Sequence, residues 1–235
     1  MRLEWNPALF ARHRSAFLNS LGADDAALLF GAPHVLRNGD AEFKYRPDSD
    51  VFYLSGWEAP EVALLLRPGA DHPFVMFVQP KDPAMETWTG RRWGPEGAVN
   101  RFGADAAYPY PELAKRLPDL LQGYRNLHYR FADDHSRDLV LISALKGARR
   151  KARRNGMAVP DAFIDPSRVL HELRLIKSDE EIEILQRAAD LTVEAHCAAM
   201  AMTADGVPEY AIESIIDHTF RLGGGLGPGY TTIVG

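Results

Sequence analysis

Cysteine occurs only once in the chain, at Cys197. A lone thiol excludes an intrachain disulfide and suits a reducing compartment. No apolar run approaches the length that crosses a bilayer, so no membrane span is expected. The opening stretch MRLEWNPALFARHRS has no apolar centre of the signal-peptide kind. A cytoplasmic location is therefore the expectation. Positive charge is in deficit, with 27 Lys and Arg against 32 Asp and Glu and a net charge of −5. That balance favours solubility and argues against bulk nucleic-acid binding. There is no GxSxG elbow, no HExxH and no Walker loop, and no internal repeat or low-complexity segment.

What is there is the composition of a globular protein, 46% hydrophobic and 25% charged. A chain of 235 residues suits one large or two modest domains. Asn6 followed by Pro7 reads as an N-cap with proline at the first helical position, and Gly22 as a stop. A helix is expected from Pro7 to Leu21. Short apolar runs follow: AALLFG from Ala26, DVFYLSG from Asp50, EVALLLRPG from Glu61 and PFVMFVQP from Pro73. Bounded by turn residues, they read as strands buried on both faces. The last two, joined by a tight turn, form an expected antiparallel hairpin. A helix near Pro111 to Leu121 and a strand near Leu127 to Phe131 complete an α/β mixture with a mixed sheet.

In DDHSRDLVLISALKGARRKARRNG the acidic residues sit at the start and the basic ones at the end, before Gly156. This order complements a helix dipole. The basic end reads as a solvated helix terminus in preference to a nucleic-acid patch. A boundary lies near Asp165 to Lys177. Beyond it, Ser178 and Glu181 make a capping box. Ile182, Leu185, Ala189, Thr192, His196 and Met200 then form one stripe at helical spacing. A second helix is expected from Pro208 to Leu222, and a terminal strand in GYTTIVG.

Several groups have the residue types of chemistry without its pattern. GGGLGPG follows a helix, the reverse of a dinucleotide fingerprint, and reads as a helix stop. Asp133, Asp134 and His135 are metal-ligand types, but neighbours at a helix start point in different directions. They read as a solvated cap. His196 is expected as a satisfied core histidine and Cys197 as a buried, inert thiol. Three clusters are richer than a core requires, and one of them, HELRLIKSDEEIEILQRAADLT from His171 to Thr192, joins the two domains. RNGDAEFKYRPDSDVFYLSGWE reads as a long loop feeding a strand, and such loops are often functional. METWTGRRWGPEG sets Trp88 and Trp93 on a Gly-rich loop beside Arg91 and Arg92. An interface and a set of core aromatics are both open readings there.

These clusters carry a family resemblance. YRPDSDVFYLSGWEAPEVALLL, METWTGRRWG, FIDPSRVLHELRLIKSDEEIEILQRAADLTVEAH and GYTTIVG, in that order, resemble aminopeptidase P, the bacterial-type Xaa-Pro aminopeptidase. The resemblance spans nearly the whole chain. It implies an α/β fold: a creatinase/aminopeptidase P-type N-terminal domain, with a mixed β-sheet flanked by helices, over residues 1–170. Residues 171–235 would be the first helices of an incomplete pita-bread metallopeptidase domain. It implies release of an N-terminal residue from peptides with proline in second position. The hydrolysis uses two metal ions, usually manganese, that acidify bound water and steady an oxyanion. In the family all metal ligands follow the strand written here as TTIVG. No catalytic or metal-binding residue is therefore carried onto this sequence, and no activity is expected of the chain alone.

By motif, Trp88 matches a tryptophan that a neighbouring subunit extends into the family's active site. Tyr230 matches a tyrosine lining the pocket for the first residue, and Arg154 an arginine near the substrate. The expected partners are proline-containing peptides and further copies of the chain, in a dimer or tetramer, with no nucleic acid and no membrane. The competing readings are a non-catalytic relative serving peptide binding or oligomerisation, and a different peptidase or creatine-type hydrolase of the same architecture. Trp88 in TWTGRR favours aminopeptidase P.

Overall fold

A computed structural model describes residues 6–234. These separate into two compact units, one from Asn6 to Leu175 and one from Ile176 onward. In the first unit, helix α1 (Pro7–Ser20) starts where the Asn6 side chain accepts from the Ala8 amide, with proline at its first turn. Strand β1 (Asp25–Phe30) follows, then a small hairpin, β2 (Leu36–Asn38) and β3 (Ala41–Glu42). Next come α2 (Ser49–Ser55), β4 (Ala63–Leu66), β5 (Phe74–Val78), α3 (Pro83–Thr89), α4 (Gly94–Asn100) and β6 (Ala106–Pro109). A short 3₁₀ turn leads into α5 (Leu113–Leu120), then β7 (Asn126–His128), α6 (His135–Asn155), β8 (Ala162–Ile164) and α7 (Ser167–Leu175).

Among the described residues six strands make one sheet in the order β6-β5-β4-β1-β7-β8. It is mixed, as expected. β4 runs antiparallel to both β1 and β5, while β6, β7 and β8 each pair in parallel. The apolar runs alternate across it with the two-residue period of a strand. Ala27, Leu29, Leu64, Leu66, Phe74, Met76 and Val78 bury on one face with α1, α2, α4 and α7. Ala26, Leu28, Phe30, Ala63, Leu65, Val75 and Phe77 bury on the other with α5 and α6.

DVFYLSG departs from expectation. It is the helix α2, not a strand. The Asp48 carboxylate accepts from the amides of Asp50 and Val51 and so caps a helix start, and Gly56 ends it at φ 68°. Val51 and Leu54, three apart, both enter the core, a spacing that only a helix presents on one face. Aromatic and β-branched residues lend this run strand propensity, and local capping with tertiary burial overrides it.

The second unit holds α8 (Asp179–Met202) and α9 (Glu209–Leu222), packed on each other with Leu191 close against Gly223. The Ser178–Glu181 capping box is present. The buried residues of α8 are Ala195 and Ala199. The apolar stripe of α8 is left uncovered, with Ile182, Leu185 and Met200 all more than half exposed. His196 is likewise exposed, its ring against the Thr192 carbonyl, and Cys197 is exposed rather than buried. After α9, residues 231–234 have no regular structure. The expected strand is not formed, because a strand exists only as one rung of a hydrogen-bonded ladder. Gly235 lies outside the described residues.

Candidate functional site

Trp88 stands on α3, not on a loop. Asp82 caps that helix by accepting from the Ala84 and Met85 amides, and Pro83 fixes its first turn. Gly90 ends it with φ 81°. The indole of Trp88 is 84% exposed. Trp93, at the start of α4, is half-buried and meets Phe102 edge-on. The two open readings of this segment therefore divide: Trp93 joins the core margin, and Trp88 faces water.

Arg154 is exposed in the last turn of α6. That helix begins at Asp134, which accepts from the Ser136 and Arg137 amides, and ends at Gly156 in the left-handed region. The hydrogen bond from the Ser136 hydroxyl, helped by the Arg137 amide and charge, holds the Asp134 carboxyl below its usual range against a small desolvation penalty. Asp133 to His135 is thus a helix cap, as expected. Trp88 and Arg154 lie on different elements of the first unit. Tyr230 belongs to the second, beyond α9, and is 82% exposed.

The first unit has a cleft, floored in part by Leu28, Leu29 and Phe30, that none of these three residues lines. It sits beside β1 and β7, encloses about 350 Å³ counting its open mouth, and is walled by Asp48, Tyr129, Arg130, Asp134 and Arg137. Arg137 donates to the Gly31 carbonyl at 2.5 Å and pairs with Asp134 at 3.2 Å. Burial, then the hydrogen bond to Asp138 at 2.8 Å, pushes the Tyr129 phenol well above its usual value. Beneath the cleft, Asp50 is fully paired. Arg130 donates to one of its oxygens, and Arg174 to the other at 2.6 Å. Arg130 also reaches Ser167 at 3.3 Å and Asp48 at 3.6 Å. These groups satisfy one another. Tyr129 is a weak acid here, the arginines are donors already engaged, and no nucleophile faces a free base.

The Asp50 network was not visible in the sequence. YRPDSD and HELR both stood out as richer than a core needs, but their pairing joins residues 124 positions apart. Among the described residues no group of three or more His, Cys, Asp or Glu side chains is placed to hold a metal ion. The donors present there do not fit a manganese pair. No helix among them is long and apolar enough to cross a membrane.

A mixed sheet sheathed by helices, with the exposed Trp88 on one flanking helix, is the frame of the first unit. Its class is that of peptidase N-terminal domains: residues 10–129 match the aminopeptidase P N-terminal domain family. The Xaa-Pro aminopeptidase of Escherichia coli K12 is 37% identical over 96% of this chain and 52% of its own length. That of Haemophilus influenzae is 33% identical over 96% of this chain and 50% of its own. The low-pH form of E. coli aminopeptidase P superposes with a TM-score of 0.92 at 36% identity, covering 98% of this chain and 53% of that one. The chain belongs to the aminopeptidase P family. It spans about half the length of the curated relatives it matches.

Proposed function

We propose that this chain is the N-terminal half of a Xaa-Pro aminopeptidase, a hydrolase that releases the first residue of peptides with proline in second position. The observation that carries this is the match along nearly the whole chain to enzymes of that name. In this reading the first unit is the family's N-terminal domain, and the helices from Ile176 onward open the peptidase domain. The three exposed groups then have distinct tasks. Trp88 offers a flat apolar face on which a proline ring can stack. Arg154 supplies a fixed positive charge for a peptide carboxylate. Tyr230 lines the pocket of the first residue. Trp88 would act across an interface between copies, so the working assembly is a dimer or tetramer in the cytoplasm. A manganese pair, held outside this chain's described residues, would activate the attacking water.

The chain alone is then expected to show no turnover on an Xaa-Pro-Yaa tripeptide with added manganese, because no metal-holding donors converge among its described residues. Activity that persists through repurification overturns this. The decisive experiment is the intact mass of the native polypeptide recovered from its own cells, measured together with its tripeptide hydrolysis. A mass well above 26.2 kDa with proline-dependent release supports the proposal. The same mass without release favours a non-catalytic relative.

A further inference from the structure

Trp88 needs a stiff mount, and α3 does not obtain one from the core. None of its residues is buried, and a helix of this length is marginal in isolation. Its fixed points lie at its two ends. At the start are the Asp82 cap and the Lys81–Glu96 pair at 3.0 Å, which ties the approach to α3 onto α4. At the other end, Arg92 reaches the Thr89 hydroxyl at 3.4 Å. The chain then turns at Gly90, whose amide donates to the Glu86 carbonyl at 3.0 Å and where an added Cβ would meet nothing within 4 Å, so no side chain packs on the turn there.

Support arrives one residue later. The Arg91 guanidinium lies 4.1 Å from the centroid of the Trp93 ring, and that of Arg101, from the end of α4, lies 4.5 Å from the same centroid. Trp93 in turn packs edge-on to Phe102 at 6.1 Å, and Phe102 lies 4.7 Å from Trp57, which is 1% exposed. A chain of ring contacts thus runs from the buried sheet face to Arg91. Gly97 leaves room for it, since a Cβ there would fall 2.7 Å from the Cβ of Trp93.

We infer that Trp93 is a positioning residue for Trp88: by stacking with Arg91 and Arg101 it fixes the corner between α3 and α4, and with it the direction of the exposed indole. The functional weight of this rests on the reading of Trp88 as a peptide contact, but the positioning itself does not. The attraction of a cation for an indole face is strongest for tryptophan and is shared here by two arginines.

Hydrogen exchange on the purified chain tests it. In Trp93→Leu, amides of residues 84–92 exchange about tenfold faster, while β4 and β5 keep their protection. Trp93→Phe, which keeps a smaller π face, recovers most of that protection. Arg91→Gln leaves the core side of Trp93 intact and still speeds the segment about threefold. Unchanged exchange at 84–92 in Arg91→Gln and Trp93→Leu overturns the inference. So does equal loss in β4 and β5, which would make Trp93 a core filler. Trp88→Leu separates the two readings. If it leaves tripeptide hydrolysis by the native polypeptide unaffected, the peptide-contact reading fails, while the exchange results still decide the positioning.

Discussion

Asp50 is a buried carboxylate on which two arginines converge. It is 2% exposed and accepts from both Arg130 and Arg174. Removing Asp50 takes the shared carboxylate from both arginines, leaving Arg130 with Asp48 and Ser167 and Arg174 without this pair. Asp50→Ala therefore lowers stability by about 3 kcal/mol, read as a shift in the urea midpoint. A second carboxylate makes stability depend on pH. Burial by itself would raise the Asp25 carboxyl, but hydrogen bonds from Asn126, the Gly22 amide and His128 outweigh it and hold it below 3.8. A depressed carboxylate contributes stability above its unfolded value and loses it as pH falls through the folded one. Asp25→Asn should thus cost stability at pH 6 and progressively less below pH 3.8, followed by denaturation at a series of pH values. A penalty constant across that range would exclude Asp25 as the source.

At the scale of elements, sequence signals held wherever caps and periodicity agreed. Asn6, Asp134 and Ser178 each start the helix expected of them. Asp134→Ala should cost about 1 kcal/mol through the uncapped first turn of α6, visible in thermal denaturation. DVFYLSG misled because its propensity and its caps disagree, and the caps prevailed. Gly56 reports on that outcome. It combines φ 68° with a Cβ position 2.5 Å from the Phe10 ring. Gly56→Ala is expected to cost about 2–4 kcal/mol from backbone strain plus overpacking. Gly69→Ala, at φ 73° with nothing within 4 Å, carries the backbone strain alone, about 1 kcal/mol. Equal penalties would show that the Phe10 contact is soft. The segment bearing Trp88 was read correctly in part: Gly90 to Trp93 is the expected loop, but Asp82–Pro83 starts a helix that carries Trp88, and Pro95 lies in the first turn of another after it.

For the whole molecule, the two units differ in how they are stabilised. The first buries a sheet on both faces. The second is a helix pair that leaves Ile182, Leu185, Val193 and Met200 in water. Apolar area contributes about 25 cal/mol per Å² only once buried. Helices α8 and α9 should therefore exchange their amides orders of magnitude faster than β1 and β4, and lose structure at lower urea. Equal protection of both units in the isolated chain would contradict this.

The sequence by itself determined many local decisions: where helices start when cap and periodicity agree, and the alternation that buries a mixed sheet. It also carried the family, because the motifs lie in order along the chain. Only the tertiary structure decided which way a face points and who pairs with whom. The stripe of α8 has helical spacing whether or not anything covers it. Residues 231–234 have strand propensity but no ladder. Asp50 meets Arg174 across 124 positions, and Trp93 meets Arg101 from opposite ends of α4. Spacing reports what one segment can present; burial, ladders and ion pairs depend on a second segment that spacing does not name.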